Sequence, residues 1–273
     1  MQRALAAAPI ALTLAVPVLA PQRALAADNV FGVFDVSVKN DYITPRGLLV
    51  TNTGVTTQVL AIVGMSFDNI SVNTGMWNDI HSKQDSGKIG PWNEFDWFVD
   101  FKVKADKFTF NLEYVVFTSP PGNFEAEHNL EFTINYADPY HINPHAKIWY
   151  AIAGDSTVVT GKRGGTGYLE LGATPTVTLD KVSFSAPTWV SVGPKNYWGG
   201  DSNWGVFSTG VKATYPIAIP KGYGFLNVWA GGQFYHLING KLVEAQTLIG
   251  TARPGTNGHR NVGLGQVGFT WGF

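Results

Sequence analysis

Apolar and polar residues alternate along most of the chain, which is the period-two pattern of β-strands. The pattern is clearest in the segment FDWFVDFKV, residues 95–103, where aromatic and aliphatic residues occupy every second position. Twelve segments show it, and most are near the roughly 9–11 residues that a tilted membrane-spanning strand needs. The predicted strands are residues 30–41, 58–68, 70–80, 93–103, 108–117, 128–137, 145–153, 167–179, 182–193, 204–215, 224–237 and 261–273.

The connections between the predicted strands alternate in length. The links after odd-numbered strands are long, at residues 42–57, 81–92, 118–127, 154–166, 194–203 and 238–260, and those after even-numbered strands are mostly short. This alternation is typical of an antiparallel barrel with short periplasmic turns and long extracellular loops, whereas a soluble Greek-key sandwich has no reason to show it. We therefore predict an all-β fold, a single closed antiparallel transmembrane β-barrel of about 12 strands.

Two prolines interrupt this pattern. Pro175 and Pro187 fall inside the eighth and ninth predicted strands, and a closed sheet offers no free edge to hold a proline. We expect bulges or shorter strands there, and a barrel of ten strands is the alternative.

The N-terminus has the features of a secretory signal peptide. Arg3 precedes a mostly apolar stretch at residues 4–20, and Ala24-Leu25-Ala26 has the small-x-small pattern of a cleavage site. We therefore divide the chain into a leader, residues 1–26, and one barrel domain, residues 27–273. An uncleaved membrane anchor is the weaker alternative, because the apolar stretch is short and contains two prolines.

Composition narrows the function classes. Charged residues make up only 14% of the chain and it contains 31 glycines, which favours a β protein with an apolar exterior. Beyond the leader there is no apolar run long enough for a membrane-spanning helix. No basic face that could bind nucleic acid is present, and the absence of cysteine excludes disulfides and thiolate chemistry.

The chain ends on alternating aromatic residues, Phe269, Trp271 and Phe273. This ending resembles the C-terminal signal of bacterial outer-membrane barrels, which the barrel-assembly machinery reads. The resemblance implies localisation in the bacterial outer membrane, with outer-membrane lipid, lipopolysaccharide and the assembly machinery as partners.

A second resemblance lies in the first third of the chain. Asp41-Tyr42-Ile43-Thr44-Pro45-Arg46-Gly47 and the later Gly75-Met76-Trp77 are similar to the D-Y-x-x-R-G and G-x-W motifs of the TorF-type porins, with one residue more between Tyr42 and Arg46. The resemblance implies a channel. Asp41, Tyr42 and Arg46 would then lie at the outer rim, where Arg46 could pair with Asp41, bind lipid phosphate or fix the loop through a salt bridge.

The inward phase of the clearer strands predicts a polar lumen. Its candidate lining residues are Asp35, Lys39, Asp96, Asp100, Lys102, Glu113, Glu131, Lys147, Lys212 and Gln233. Mixed charges facing one another across a narrow pore would give a modest selectivity. We therefore expect passive diffusion of small hydrophilic solutes or ions, with no cofactor, no metal and no catalytic residue, in a barrel that could form a homo-oligomer.

Two other functions remain open. In one, the lumen is closed and the barrel has a structural or binding role through its long outer loops. In the other, the barrel is a lipid-modifying enzyme of the outer membrane, for which Ser185, Ser191 and Ser208 are available but lie in no pattern that implies a histidine partner. The histidines themselves have no metal-site spacing.

Overall fold

The computed structural model describes residues 29–51, 54–82, 92–122, 124–154, 164–195, 197–200, 202–248 and 258–273, so the predicted leader lies outside the described residues. It contains sixteen strand segments and one helix. These are β1 Val30–Lys39, β2 Tyr42–Ile43, β3 Leu49–Thr51, β4 Thr56–Phe67, β5 Ile70–His81, β6 Trp92–Ala105, β7 Phe108–Thr118, β8 Glu127–Tyr136, β9 Pro144–Ala153, β10 Thr166–Ala173, β11 Thr176–Leu179, β12 Val182–Ser185, β13 Thr188–Val192, β14 Trp204–Ile217, β15 Phe225–Leu237, α1 Gly240–Leu248 and β16 Asn261–Gly272.

The large sheet closes on itself. Its strands pair antiparallel around the ring, and β1 pairs with β16 over seven residue pairs from Val33↔Gly272 to Lys39↔Gln266. When β10 with β11 and β12 with β13 are each taken as one strand, the ring has twelve strands. The prediction of a closed twelve-stranded antiparallel barrel is confirmed, and the alternative of ten strands is wrong.

Proline explains the two divided strands. Pro175 separates β10 from β11, and Pro187 separates β12 from β13. A proline has no N–H for the ladder, so pairing stops at these residues and resumes beyond them. The breaks were expected, and they do not open the ring, because β12 and β13 both pair with β14.

Aspartates form the tightest turns. Asp68, Asp106 and Asp180 occupy left-handed backbone conformations, with φ of 52°, 52° and 53°, between β4 and β5, β6 and β7, and β11 and β12. Aspartate tolerates this conformation better than most residues and is common in two-residue hairpins. These turns lie together at one end of the barrel, the short-turn end, and the opposite end is the long-loop end.

The two faces of the wall differ sharply. On β4 and β6 the large apolar side chains, such as Phe67 and Phe101, are exposed on the outside, whereas Gln58 and Asp96 are buried inside. A continuous apolar exterior around a closed sheet is the surface that lipid covers. Among the described residues, no helix is both long and apolar enough to cross a membrane.

The seam between the first and last strands has a polar clamp on the lumen side. The buried carboxylate of Asp35 on β1 accepts hydrogen bonds from Trp229 Nε1, at 3.2 Å, and from Thr270 Oγ1. Outside, the backbones of Gly32 and Phe273 form two hydrogen bonds of 3.1 Å. The aromatic residues Phe269, Trp271 and Phe273 are exposed on the lipid side, and their recognition by the assembly machinery stays a prediction.

Removing the clamp should loosen the seam. We expect Asp35→Ala to lower the free energy of unfolding by about 1–3 kcal/mol, because two buried donors lose their acceptor. The temperature at which the unboiled, folded band disappears from a detergent gel measures this. Asp35→Asn keeps an acceptor oxygen and should lose less, so equal losses in the two variants would contradict the role of this acceptor.

Candidate functional site in the barrel lumen

The first long loop folds into the barrel. Residues 41–51, here named the lumen plug, include the two short paired strands β2 and β3, which form a sheet separate from the barrel wall. Thr44, Leu48 and Val50 are fully buried, and Arg46 is only 2% exposed. The plug therefore fills the lumen at the long-loop end, where the sequence predicted an outer rim.

Arg46 fixes the plug to the wall. Its Nη1 lies 3.0 Å from Oε1 of Glu127 on β8, and its Nη2 donates to Oε2 at 3.3 Å. The guanidinium carbon also lies 4.9 Å from the centre of the Trp149 ring, within cation–π range. Burial disfavours the charge of Arg46, but the attraction and hydrogen bond of the Glu127 carboxylate, together with the nearby Tyr197 and Tyr168, raise the pKa of Arg46.

This geometry corrects two expectations for Arg46. Its partner is Glu127 on a distant strand rather than the neighbouring Asp41, whose carboxylate accepts a hydrogen bond from Asn40. A side chain buried in the lumen also cannot reach a lipid phosphate. Of the three expectations for Arg46, the structure contains the salt bridge that fixes the loop. A buried charge in apolar surroundings needs an opposite charge beside it.

Tyr42 makes the second anchor. Its hydroxyl donates to Oε2 of Glu94 on β6 at 3.0 Å, and its ring stacks on that of His81 with the centres 6.1 Å apart. Burial raises the pKa of the Tyr42 phenol and the Glu94 carboxylate raises it further, so Tyr42 remains a donor. Its ring also lies 6.0 Å from that of Trp77.

A chain of close polar contacts lies beneath Tyr42. Thr56 Oγ1 is 2.9 Å from His81 Nδ1, and His81 Nε2 is 2.8 Å from Asp79 Oδ2. Gln58 donates to the other oxygen of Asp79 at 3.2 Å. Within the described parts of the chain, no group of three or more histidine and acidic side chains could hold a metal ion.

The apolar part of the plug packs against the last long loop. Gly47 has φ of +89°, and a Cβ there would lie 2.6 Å from Val206 and 3.0 Å from Leu237 and Leu242. Leu242 belongs to α1, a helix that the sequence analysis did not predict, and it is buried. The close approach of three apolar side chains requires glycine at this position. The plug therefore packs against α1 as well as against the strands of the wall.

The predicted lining residues lie on the inner face. All ten are buried or half-buried, opposite in phase to the apolar exterior; they are Asp35, Lys39, Asp96, Asp100, Lys102, Glu113, Glu131, Lys147, Lys212 and Gln233. Several pair off, as Lys147 does with Glu131 and Lys102 with Asp100 at 3.3 Å. That they line a conducting path stays a prediction.

The sequence analysis missed the interior residues supplied by the plug and the wall behind it. Leu48, Leu49 and Val50 were part of an expected surface loop, and Glu94 and Glu127 were in no candidate set. One signal was available, because three consecutive apolar residues are unusual in a solvated loop. The anchors gave no such signal, since Glu127 lies 81 positions from Arg46.

The serines considered for catalysis have structural contacts. Ser191 Oγ accepts from the backbone N–H of Val206 at 2.9 Å, and Ser208 Oγ donates to the carbonyl oxygen of Phe234 at 3.0 Å. Both lie buried on the lumen side. Among the described residues, neither of them nor Ser185 hydrogen-bonds to a histidine.

Comparison with known proteins agrees with the barrel. The chain is similar in structure to the NanC porin, with a TM-score of 0.53 and 10% identity over 87% of this chain and 98% of that one. It is also similar to an outer membrane channel from Pseudomonas putida F1, with a TM-score of 0.50 and 9% identity over 98% of both chains. No family model and no curated protein matches the sequence.

The fold and its surface define the class. A closed twelve-stranded antiparallel barrel with an apolar exterior and a polar interior is a bacterial outer-membrane β-barrel. The chain accordingly belongs in the bacterial outer membrane, with its exterior in contact with lipid.

The ion pair can be tested by a double-mutant cycle. We expect Arg46→Met to destabilise the barrel by about 3–5 kcal/mol, because Glu127 is left as an uncompensated buried charge. Glu127→Gln should cost a comparable amount, and the double variant should cost clearly less than the sum of the two. Thermal unfolding in detergent measures all three. Strict additivity would contradict direct pairing.

Proposed function

We propose that this protein is a porin-like channel that passes small hydrophilic solutes by passive diffusion through a lumen narrowed by the plug. The carrying observation is the polar inner face towards the short-turn end, where Asp100, Glu113 and Lys212 face the interior. A purely structural barrel of this size could fill its interior with apolar side chains, as small barrels do. Keeping charges inside is consistent with an aqueous path.

The arrangement of charge supports a narrow path with a transverse field. Lys212 is on β14, which lies six strand positions from β6 around the twelve-stranded ring, so it stands opposite Asp96 and Asp100. Opposed charges of this kind orient polar solutes and tune ion selectivity in narrow pores. Twelve strands lie between the filled eight-stranded barrels and the wide sixteen-stranded porins.

The plug would act as the constriction. Its polar anchors on the wall strands are Arg46–Glu127 and Tyr42–Glu94, and its apolar part packs near Gly47 against apolar side chains. Its strands β2 and β3 pair only with each other, so displacing them breaks no hydrogen bond of the barrel ladder. A segment held this way can shift without unfolding the wall.

The plug also supports kinship with the TorF-type porins. The two segments that carry that resemblance meet in space, since the ring of Tyr42 lies 6.0 Å from that of Trp77. Contact between the residues of the two motifs gives a physical reason for both motifs to occur in the same chain. We propose that the motifs specify an inward-folded first loop, and that outer-membrane lipid, lipopolysaccharide and the assembly machinery are the partners outside the lumen.

One observation favours a second function, that of a non-conducting barrel acting through its outer loops. The plug is buried along almost its whole length, and α1 lies over it through Leu242. If this closure is permanent, no solute passes, and the exposed loops carry the function.

Single-channel recording separates the two functions. We expect discrete openings from the purified protein in planar bilayers. Replacing residues 43–50 with a short glycine–serine link should raise the conductance severalfold, because the buried residues of the plug leave the lumen while the barrel ladder remains intact.

A matched control lies on the exposed side of α1. Lys241 and Glu244 pair with each other at 2.7 Å on the surface, and replacing both with alanine should leave the conductance unchanged. Silence from both the native protein and the plug replacement would show that the lumen is closed. Equal conductance in the two would show that the plug is not the constriction.

A further inference from the structure

Three carboxylates form a lateral row on the inner wall. Asp100 on β6 is directly opposite Glu113 on β7, and Glu113 is directly opposite Glu131 on β8. Directly opposed residues of an antiparallel pair have Cβ atoms roughly 5 Å apart, and like charges there destabilise the sheet. A sequence selected only for barrel stability would not keep such a row.

The row is only partly neutralised. Lys102 lies 3.3 Å from Asp100, and Lys147 pairs with Oε2 of Glu131. Glu113, at the centre, has no hydrogen bond or ion pair with any residue in the described ranges, and the buried Oε1 of Glu131 has no hydrogen-bond partner there either. The middle of the row therefore presents carboxylate oxygens without a donor to the lumen.

Carboxylate oxygens without hydrogen-bond donors also occur towards the plug. Glu94 and Asp96, further along β6, are buried, and each has a carboxylate oxygen without a hydrogen-bond donor among the described residues. Buried polar atoms in native proteins are nearly always paired, and an unpaired one destabilises the fold. We name the inward carboxylates of β6 to β8, apart from Glu127 in its pair with Arg46, the acidic wall: Glu94, Asp96, Asp100, Glu113 and Glu131.

The groups on the acidic wall are all acceptors, so the partner they lack is a donor or a cation. They are spread along the lumen and do not converge, which agrees with the absence of a metal-binding group among the described residues. On the opposite wall, the Lys212 ammonium lies 4.0 Å from the centre of the Trp229 ring and forms no ion pair with the described residues. The geometry suits successive weak contacts with a passing cation better than one tight site.

Resting on the proposed channel function, we infer that the lumen selects positively charged solutes, and that Glu113 is the residue with the greatest influence on this selectivity. Small cations, whether alkali-metal ions or compounds with an ammonium group, would exchange water for carboxylate oxygens along the acidic wall. Conduction needs such contacts to be favourable but weak, and a row of partly neutralised carboxylates provides this. Anions would meet unsatisfied negative charge at two levels of the lumen.

Reversal potentials in a potassium chloride gradient test the selectivity. The native channel should pass K⁺ in preference to Cl⁻. Glu113→Gln, which keeps the shape of the side chain, should lower the permeability ratio by about threefold, the effect of one unit charge near the path in a water-like medium. Lys212→Gln should change the ratio in the opposite direction. Glu244→Gln is the matched control, because it is the same substitution on the exposed face of α1 and should change nothing.

A second measurement separates failure of this inference from failure of the channel. Cs⁺ and iodide quench tryptophan fluorescence by collision, and the lumen contains the buried Trp149 and Trp229. In detergent, Glu113→Gln should lower the quenching constant for Cs⁺ and raise that for iodide relative to the native protein, whereas Glu244→Gln should leave both constants unchanged. If no channels open but the quenching follows this pattern, the channel proposal is wrong and the cation preference stands.

Other results would overturn the inference itself. Openings with a preference for Cl⁻, or with none, would contradict a cation-selective lumen. So would a Glu113→Gln permeability ratio equal to that of the native channel, and so would Cs⁺ and iodide quenching constants that Glu113→Gln leaves unchanged. All variants should first show the same heat-dependent shift on detergent gels, so that a change in ratio reports on charge and not on folding.

Discussion

The hydrocarbon core of a membrane leaves no backbone N–H or C=O without a partner, and this constraint controls the structure of the chain. A sheet can meet it only by closing, so the pairing of β1 with β16 is the contact on which every other strand depends. The two proline breaks are tolerated because the ring stays closed beside them. The clamp at Asp35 then adds side-chain bonds across the same seam.

Closure creates an interior that has to be filled or hydrated. Towards the long-loop end the chain fills it with its own first loop, and a buried arginine beside Glu127 and two aromatic rings holds that loop in place. Towards the short-turn end it leaves carboxylates and lysines facing one another. The lumen thus has a plugged half, where apolar residues surround buried ionisable groups, and a half lined by charged residues, and the proposed transport depends on how the two combine.

The sequence predicted the wall well because the wall follows local rules. Alternation gave each strand its lipid and lumen faces, as Phe101 and Asp100 show on β6, and the short links between predicted strands placed the turns that contain Asp106 and Asp180. The inward phase of the lining residues came from the same alternation. The ion-pair partners of these residues could not be predicted from alternation, since a pair such as Lys147–Glu131 depends on the register between strands.

What the sequence by itself determined is a closed outer-membrane barrel of about twelve strands, because period two and loop length are properties of neighbouring residues. The choice between twelve strands and ten came from the observed pairing. Only the tertiary structure decided what occupies the lumen. Arg46 was visible as a candidate, but its partner lies 81 positions away, and Leu48 to Val50 became interior only because the loop turned inward. Contacts across a barrel join distant parts of the chain, and no local pattern encodes which of them meet.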